Sequence, residues 1–198
     1  SWLASNKWGN WREDDKWLWR LSTKHGSNGA LGDTGVHIFD FAVNAVGDIK
    51  QIFADLKTYH DKGDKIKNYV LDANDGFNSL VRFENGAIGT ITNSRYATGH
   101  ANSLILEVFG TKGGLKVELD EERNKWSTLH ICQNENINKM SWETVECSQT
   151  PSNYQNFIKS IQTNKNLQPD FNQGAKIQKI IDSCIKSNDN KTWVDINN

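Results

Sequence analysis

The feature that most constrains the fold is a run of short β-type segments in the middle of the chain, separated by only a few residues. GFNSLVRF and AIGTITNSRY lie on either side of Glu84-Asn85-Gly86, and SLILEVFG and LKVEL lie on either side of Thr111-Lys112-Gly113-Gly114. Parallel neighbours need a crossover of about a dozen residues or more, so these strands must pair antiparallel as hairpins. Asn-Gly favours a hairpin turn with positive φ at both central residues.

The segments around this β region show either the two-residue alternation of strands or the helical spacing of about 3.6 residues. IKQIFADLKTY at 49–59 alternates and predicts a strand, and shorter strands are expected at STLHICQ, WETVEC and, as an edge strand, TWVDI. Helices are predicted from about Gly32 to Val46, ending at Gly47, and through FNQGAKIQKIIDSCIKS. A third is predicted from Asn153 to Asn164, with one apolar side formed by Tyr154, Phe157, Ile158 and Ile161. This order predicts an α+β domain in which one large, mostly antiparallel open sheet has helices packed on one face.

Length and composition suit a single globular domain. The chain has 198 residues, of which 36% are hydrophobic and 24% charged, which is enough to bury one core. We expect one domain over 1–198, with an irregular Trp-rich segment at 1–28 and an α+β body at 29–198. The net charge of −1, without a basic run interleaved with aromatics, gives no reason to expect nucleic acid binding. No apolar run approaches the roughly 18 residues of a membrane span.

The number and spacing of the cysteines indicate the redox compartment of the protein. Cys132, Cys147 and Cys184 are odd in number, widely spaced and without a CxxC pair. A disulfide scaffold or structural zinc site is therefore not expected, and a reducing compartment, the cytoplasm, is predicted. The chain begins at Ser1 without Met and has no signal-peptide pattern, so an upstream segment is expected.

Tryptophan is concentrated near the N-terminus. Five of the eight tryptophans fall in the first nineteen residues: Trp2, Trp8, Trp11, Trp17 and Trp19. Two interpretations stay open. The indoles form an aromatic plug over a core, or they line a substrate loop and stack on the apolar faces of a ring such as a sugar.

The helix predicted from Gly32 carries a polar stripe formed by Asp33, His37, Asp40 and Asn44. At about 100° per residue these positions fall within roughly 60° of one another. The rest of the helix surface is apolar, so we expect the helix to be buried and its stripe to face something polar.

The stripe offers a specific chemistry. Asp33 lies at the helix start, where the dipole stabilises its ionised form, and His37 is one turn on. A carboxylate in reach would orient the imidazole, which could then take a proton from a hydroxyl near neutral pH. Two alternatives stay open, a histidine hydrogen-bonded for structure alone and a metal site using both residues. The five histidines are dispersed and no GxGxxG or GxxxxGK[ST] motif is present, so neither a metal cluster nor a phosphate-binding loop is predicted.

GALGDTGVHIFDFAVNAVG resembles the helix that opens the substrate domain of the glucose–fructose oxidoreductase and inositol dehydrogenase family (Gfo/Idh/MocA). That family has a glycine-rich turn, Asp-x-x-x-His, an Asp three residues on, and a closing Gly. Trp19-Arg20 stands where the family often has Trp-Arg. GFNSLVRFENGAIGTITNSRYATG and LILEVFGTKGGLKV are similar to its central hairpin and its GTKG turn, and PDFNQGAKIQKIIDSCIKS resembles its closing helix. The likeness runs from about Trp17 to Ile196.

The resemblance implies the dihydrodipicolinate-reductase-like fold of that substrate domain and an NAD(P)-dependent dehydrogenase acting on a sugar, a cyclitol or a related polyol. It implies that His37 is the acid/base and Asp33 its partner. We further expect Arg20, Trp17 and Trp19 to form part of the substrate wall, with Asp40 as a candidate substrate contact. The family's N-terminal Rossmann domain, with its catalytic lysine, is not in this sequence. NAD or NADP is thus expected to be bound mainly by an upstream domain, leaving the chain inactive by itself. A homo-oligomer formed through the sheet face is also implied.

A second hypothesis is a non-catalytic carbohydrate-binding or scaffold domain that uses the Trp-rich segment. For Arg20, an ion pair with Asp14 or Asp15 is as plausible as a substrate contact. For Asp40, a structural hydrogen bond to the preceding loop is favoured. Arg95 and His100, near the end of a hairpin, are expected on the surface.

Overall fold

The computed structural model describes residues 15–59, 64–100, 102–120 and 124–196. Trp2, Trp8 and Trp11, with the first half of the Trp-rich segment, lie outside these residues. The α-helices are α1 (Asp15–Leu18), α2 (Val36–Val46), α3 (Glu135–Lys139), α4 (Asn153–Thr163) and α5 (Phe171–Asn190). The strands are β1 (Ile49–Lys57), β2 (Lys65–Ile66), β3 (Tyr69–Val70), β4 (Gly76–Phe83), β5 (Ile88–Ser94), β6 (Ser103–Gly110), β7 (Gly113–Asp120), β8 (Asn124–Gln133), β9 (Glu143–Val145) and β10 (Val194–Asp195).

The expected α+β class with antiparallel pairing is confirmed, but one detail is wrong. The described strands form two four-stranded sheets, β10-β1-β4-β5 and β6-β7-β8-β9, and a small β2-β3 hairpin, instead of one large sheet. Every strand pair in the described ranges is antiparallel. The predicted edge strand in TWVDI is β10, which pairs with β1 through Ile52 and Val194.

The core lies between the first sheet and the helices α2 and α5. Its buried apolar side chains come from all three elements and include Phe39, Val43, Ile52, Phe77, Val81, Ile91, Ile177, Ile180, Ile181 and Cys184. Strand β10 covers only part of the edge of β1. Beyond it, two side chains of α5 accept the edge amides, Ser187 from Ala54 at 2.9 Å and Asn188 from Leu56 at 3.0 Å. The helix therefore closes the sheet edge as well as its face.

The hairpin between β4 and β5 is confirmed, but its turn differs from the expected type. The amide of Gly86 donates to the carbonyl of Phe83 at 3.1 Å, and the amide of Phe83 donates to the carbonyl of Ala87 at 2.8 Å. Within this turn positive φ occurs at Gly86 (89°) and not at Asn85. One left-handed residue is enough because the connection is a longer turn followed by a bulge, not the two-residue turn assumed from Asn-Gly.

The second sheet has two chemically different faces. Directly opposed residues share a face, and the rows Leu106–Val117–Leu129–Val145 and Val108–Leu115–Ile131 cross it on one side. Together with Leu104 and Leu119 these aliphatic side chains are all only half-buried. The other side carries the polar row Glu107–Lys116–His130–Thr144. There the ammonium of Lys116 lies 2.6 Å from the carboxylate of Glu118.

Helix α4 confirms the prediction made from NYQNFIKSIQTN and begins with a capping box formed by Ser152 and Gln155. Its apolar side chains are exposed, however, at 86% for Tyr154 and 64% for Phe157. The long closing helix is confirmed as α5, whose N-cap is Asp170. A hydrogen bond from the Gln173 amide lowers the pKa of the Asp170 carboxyl.

Candidate functional site

The predicted helix with the polar stripe begins with a π-helical turn, Leu31–Gly35, that leads into α2 and ends at Gly47 with φ 126°. A π-helical turn contains more residues than an α-helical turn. The rotation of about 100° per residue that was used to relate Asp33 to His37 therefore does not hold here. In α2, Phe39, Ala42 and Val43 are buried, whereas His37 and Asn44 are exposed. The helix, expected to be buried with its polar stripe facing something polar, is therefore buried on one side only. Its stripe runs from a half-buried Asp33 to solvent.

The start of this helix is held by Asn74, which precedes β4. Its carbonyl accepts from the amide of Ala30 at 2.8 Å, and its Oδ1 accepts from the amide of Leu31 at 2.9 Å. Its Nδ2 donates to the carbonyl of Asn28 at 2.6 Å. A helix start leaves backbone donors without intrahelical partners, and here Asn74 satisfies two of them and fixes the glycine-rich turn.

The π-helical turn lies close against the first sheet because Gly35 has no side chain. A Cβ atom at Gly35 would lie 2.8 Å from Cε1 of Phe77, a buried residue of β4. The ring of Phe77 stacks on that of Phe39, with ring centroids 5.5 Å apart. This close approach brings the turn to the ends of β4 and β5.

Two side chains at the end of β5 hold the turn. Asn93 Nδ2 donates to Oγ1 of Thr34 at 2.8 Å. Arg95 Nη2 donates to Oδ2 of Asp33 at 2.9 Å. The amide of Arg95 also donates to the carbonyl of Asp75 at 2.9 Å, which ties the strand end to the start of β4.

The expectation that Arg95 lies on the surface is wrong. The residue is only 1% exposed, while His100 is exposed as expected. Burial lowers the pKa of the Arg95 guanidinium, against the opposing effect of the Asp33 and Asp75 carboxylates. A signal for this burial was present in the sequence. Side chains two apart in a strand share a face, so counting from the core residue Ile91 places Asn93 and Arg95 on the inner face.

Arg20 reaches the other oxygen of Asp33. Its Nη1 donates to Oδ1, so that each carboxylate oxygen of Asp33 is bound by a different arginine. The Arg20 guanidinium also lies 5.0 Å from the ring centroid of Trp17 and 5.2 Å from that of Trp19. Trp19 is 42% exposed. Asp14 and the side chain of Asp15, the alternative partners considered for Arg20, lie outside the described residues.

The structure thus brings together Asp33, Arg20, Trp17 and Trp19, and adds Arg95. It does not join Asp33 to His37, because no hydrogen bond links them within the described ranges and both Asp33 oxygens are bound by arginines. Asp40 lies one turn further along α2 and accepts from Gln173 Nε2 at 2.8 Å and from Asn44 Nδ2 at 3.1 Å. Its structural partner is thus the closing helix, not the preceding loop.

The site combines a carboxylate held by two arginines with two indoles, and the exposed imidazole of His37 lies further along the chain, on the first turn of α2. In the part of the chain that is described, no group of three or more His, Cys, Asp or Glu side chains could hold a metal ion. Among the same residues, no helix is long and apolar enough to cross a membrane. Guanidinium groups donate hydrogen bonds, indoles offer flat apolar surfaces, and an imidazole can accept or release a proton.

The structure is an α+β domain in which a helix start, a strand end and an Arg-Trp segment meet at one carboxylate. Residues 3–116 match the profile of the GFO/IDH/MocA C-terminal domain. The chain therefore belongs to this family.

Its relatives are oxidoreductases. A levoglucosan dehydrogenase from Pseudarthrobacter phenanthrenivorans (strain DSM 18606 / JCM 16027 / LMG 23796 / Sphe3) is 23% identical over 211 residues, covering 90% of this chain and 54% of that protein. A solved levoglucosan dehydrogenase in complex with NADH and levoglucosan has a TM-score of 0.76 and 25% identity, covering 89% of this chain and 52% of that chain. An NAD binding oxidoreductase from Klebsiella pneumoniae shares the fold, with a TM-score of 0.71, 24% identity and coverage of 90% and 53%. The chain spans about half the length of these relatives.

Proposed function

We propose that the chain is the substrate-binding domain of an NAD(P)-dependent oxidoreductase that acts on a sugar, a cyclitol or a related polyol. The observation that carries the proposal is the Arg20–Asp33–Arg95 cluster beside two indoles, at the start of the helix that bears His37. Similar proteins were crystallised with NADH and with levoglucosan or L-sorbose. That likeness supports a sugar-type substrate here.

Arg20, Trp17 and Trp19 would form the substrate wall. An indole offers a flat apolar surface to the C–H groups of a sugar ring, and a guanidinium donates hydrogen bonds to hydroxyl groups. The contacts of the Arg20 guanidinium with both rings support this role. The carboxylate of Asp40 is bound by Gln173 and Asn44. Only its position in α2, the helix that carries His37, supports a substrate contact for Asp40.

His37 would be the acid/base. Its imidazole is exposed on the first turn of α2, one turn beyond Asp33. A neutral imidazole can accept the proton of a substrate hydroxyl during oxidation and return it during reduction. Asp33, held by Arg20 and Arg95 at the start of the same helix, would take part by fixing the position of Arg20.

The described residues do not fit a dinucleotide cofactor. All their strand pairs are antiparallel, whereas a dinucleotide fold uses parallel strands and a glycine-rich turn before a helix. We therefore assign NAD or NADP mainly to a further domain and derive no step through it. Such a cofactor would supply the redox chemistry of the reaction. This chain would hold the polyol and take its hydroxyl proton.

The apolar face of the second sheet would join two copies of the chain. Half-buried aliphatic side chains from all four strands form this face. A contiguous apolar surface of this kind marks an interface, and a symmetric copy is the commonest cover. The cysteines are free thiols, which supports a cytoplasmic location for the assembly.

The deciding experiment is His37→Asn in the complete dehydrogenase, with polyol oxidation followed by NAD(P)H absorbance. We expect kcat to fall about 100-fold or more, the usual contribution of an acid/base group. His100→Asn is the matched control, since His100 is exposed and contacts Ser103 at 3.2 Å. A His37→Asn rate close to that of the unmodified protein would refute the role of His37.

The alternative function is a carbohydrate-binding or scaffold domain, supported by the indole pair beside Arg20. The gene sequence upstream of Ser1 separates the two functions. A glycine fingerprint between a strand and a helix supports the oxidoreductase, and a start codon near Ser1 supports the binding domain.

A further inference from the structure

Four charged side chains alternate in sign from the interior to the surface of the site. Asp75 is 2% exposed, the side chain of Arg95 is 0% exposed, and those of Asp33 and Arg20 are 21% and 24% exposed. Only the outer two of these groups are accessible to a ligand. The inner arginine must therefore act through its neighbours.

We propose that Arg95 is a positioning residue that fixes Asp33 and, through Asp33, the guanidinium of Arg20 against Trp17 and Trp19. The inference rests on the proposed function only in assigning Arg20 to the substrate wall. The connection itself is visible in the bonds, because Arg95 binds Oδ2 and Arg20 binds Oδ1 of the same carboxylate.

Arg95 would act by restricting the rotation of the Asp33 carboxylate. A carboxylate bound through one oxygen can turn about its χ2 bond, whose energy profile is broad. Binding both oxygens to groups on different elements defines its plane. Arg95 is well suited to the inner position because it is buried and is attached through its amide to the carbonyl of Asp75. Its own charge is stabilised by both carboxylates, so the cation remains where solvent is excluded.

A lysine in place of Arg95 cannot hold the Asp33 carboxylate in the same way. Its ammonium is a point charge on a flexible stem, whereas the guanidinium is a planar group with directed donors. In Arg95→Lys we therefore expect Asp33 to lose its defined plane while the positive charge is kept. Arg20 would then sample several orientations over the two indoles.

The test on the chain itself is ¹⁵N–¹H NMR of the arginine Nε–H groups. We expect the Arg20 Nε signal to shift or broaden in Arg95→Lys. It should not change in Arg82→Lys, the matched control on the neighbouring strand. Arg82 also lies over an indole, 4.3 Å from the ring centroid of Trp193, and binds Gln51 at 3.0 Å. An unchanged Arg20 signal in folded Arg95→Lys overturns the proposal.

If Arg95→Lys does not fold, Asp33→Asn tests whether the carboxylate of Asp33 positions Arg20. The amide nearly preserves the shape of the carboxylate but can accept through only one oxygen. The signals of both Arg20 and Arg95 should change, and an unchanged Arg20 signal again overturns the proposal. Neither measurement depends on catalysis, so they stand even if the proposed oxidoreductase function fails.

Activity in the complete dehydrogenase separates positioning from a general structural role. Arg95→Lys should raise KM for the polyol about tenfold, the size of one lost charged hydrogen bond, with kcat reduced much less. A fall in kcat at unchanged KM would contradict positioning through Arg20.

Discussion

Arg95 Nη2 lies 2.9 Å from Oδ2 of Asp33, across 62 positions of sequence. This bond links the end of β5 to the π-helical turn before α2, and the same carboxylate continues to Arg20 on the Trp-rich side. Three segments of the chain therefore meet at one carboxyl group. The geometry of the site depends on this meeting point as much as on the helix that carries His37.

The first prediction concerns the stability contributed by Arg95. Arg95→Met leaves Asp33 with one arginine and Asp75 without its neighbouring cation. Breaking a buried charge pair costs about 3 to 5 kcal/mol, and we expect about 3 kcal/mol because Arg20 still binds Asp33. Urea unfolding followed by tryptophan fluorescence measures the loss.

Arg82→Met is the control for that measurement. Arg82 is exposed on the neighbouring strand, where a single polar pair contributes about 1 kcal/mol or less. Equal losses for the two variants would show that the bond between Arg95 and Asp33 does not contribute specifically.

The sequence predicts more of the fold than of the candidate site. The antiparallel hairpins and the main helices followed from short connections and periodicity, because those signals are local. The division into two sheets did not, since strand spacing does not say whether β5 pairs with β6. The turn at Gly86 was located correctly, but its type depends on a bulge that dipeptide identity does not specify.

The site was predicted in part. Asp33 and Arg20 were both selected from the sequence, Asp33 as the partner of His37 and Arg20 as a substrate contact or an ion-pair partner of Asp14 or Asp15. The pairing of Asp33 with His37 assumed a regular helix where a π-helical turn occurs. Arg95 was missed because a charged residue at a strand end was taken as exposed. Its burial depends on a distant carboxylate, and only tertiary structure brings the two together. The role of His37 stays a prediction.

The second prediction concerns the close approach of the π-helical turn to the sheet. Gly35→Ala places a Cβ 2.8 Å from Cε1 of Phe77, whose ring is confined between the core and Phe39. Overpacking of this kind costs about 1 to 3 kcal/mol. Thermal or urea unfolding measures it.

Gly174→Ala is the matched control for Gly35→Ala. Gly174 lies on the exposed side of α5, and a Cβ there meets nothing within 4 Å. Alanine should stabilise this helix position by about 0.5 to 1 kcal/mol. Stabilisation by both substitutions would rule out a tight contact at Gly35.

The third prediction concerns thiol reactivity. Cys147 is exposed and Cys184 is buried, and burial raises the pKa of the Cys184 thiol from 9.0 to about 12. The thiolate is the reactive form. At pH 8 a thiol reagent should therefore modify Cys147 rapidly and Cys184 only after unfolding in urea. Peptide mass spectrometry identifies the modified residue, and Cys147→Ser removes the rapid phase.

The same raised pKa fixes the direction of a pH effect. The unfolded chain ionises Cys184 near pH 9.0, before the folded chain does near pH 12. The stability that depends on a neutral Cys184 is thus present below about pH 9 and is lost as the pH rises toward 12. Fast labelling of Cys184 in the folded chain at pH 8 would contradict its burial.

The last prediction concerns the apolar face of the second sheet. Val117 lies in the row Leu106–Val117–Leu129–Val145 on that face, and Ile105 lies on the opposite face at 51% exposure. Val117→Lys puts a charge among half-buried aliphatic side chains, and a buried unpaired charge is strongly unfavourable in an interface. We therefore expect the unmodified chain to associate at micromolar concentration and Val117→Lys to be monomeric.

Ile105→Lys is the control, since it also replaces an aliphatic residue of this sheet by lysine but leaves the apolar face unchanged. It should associate like the unmodified chain. Light scattering after size exclusion gives the mass of each species, and circular dichroism shows whether each variant is folded. A monomeric unmodified chain would remove the case for this interface. Loss of association in Ile105→Lys alone would assign the interface to the opposite face, where Glu107 and Lys116 form a pair at 3.6 Å.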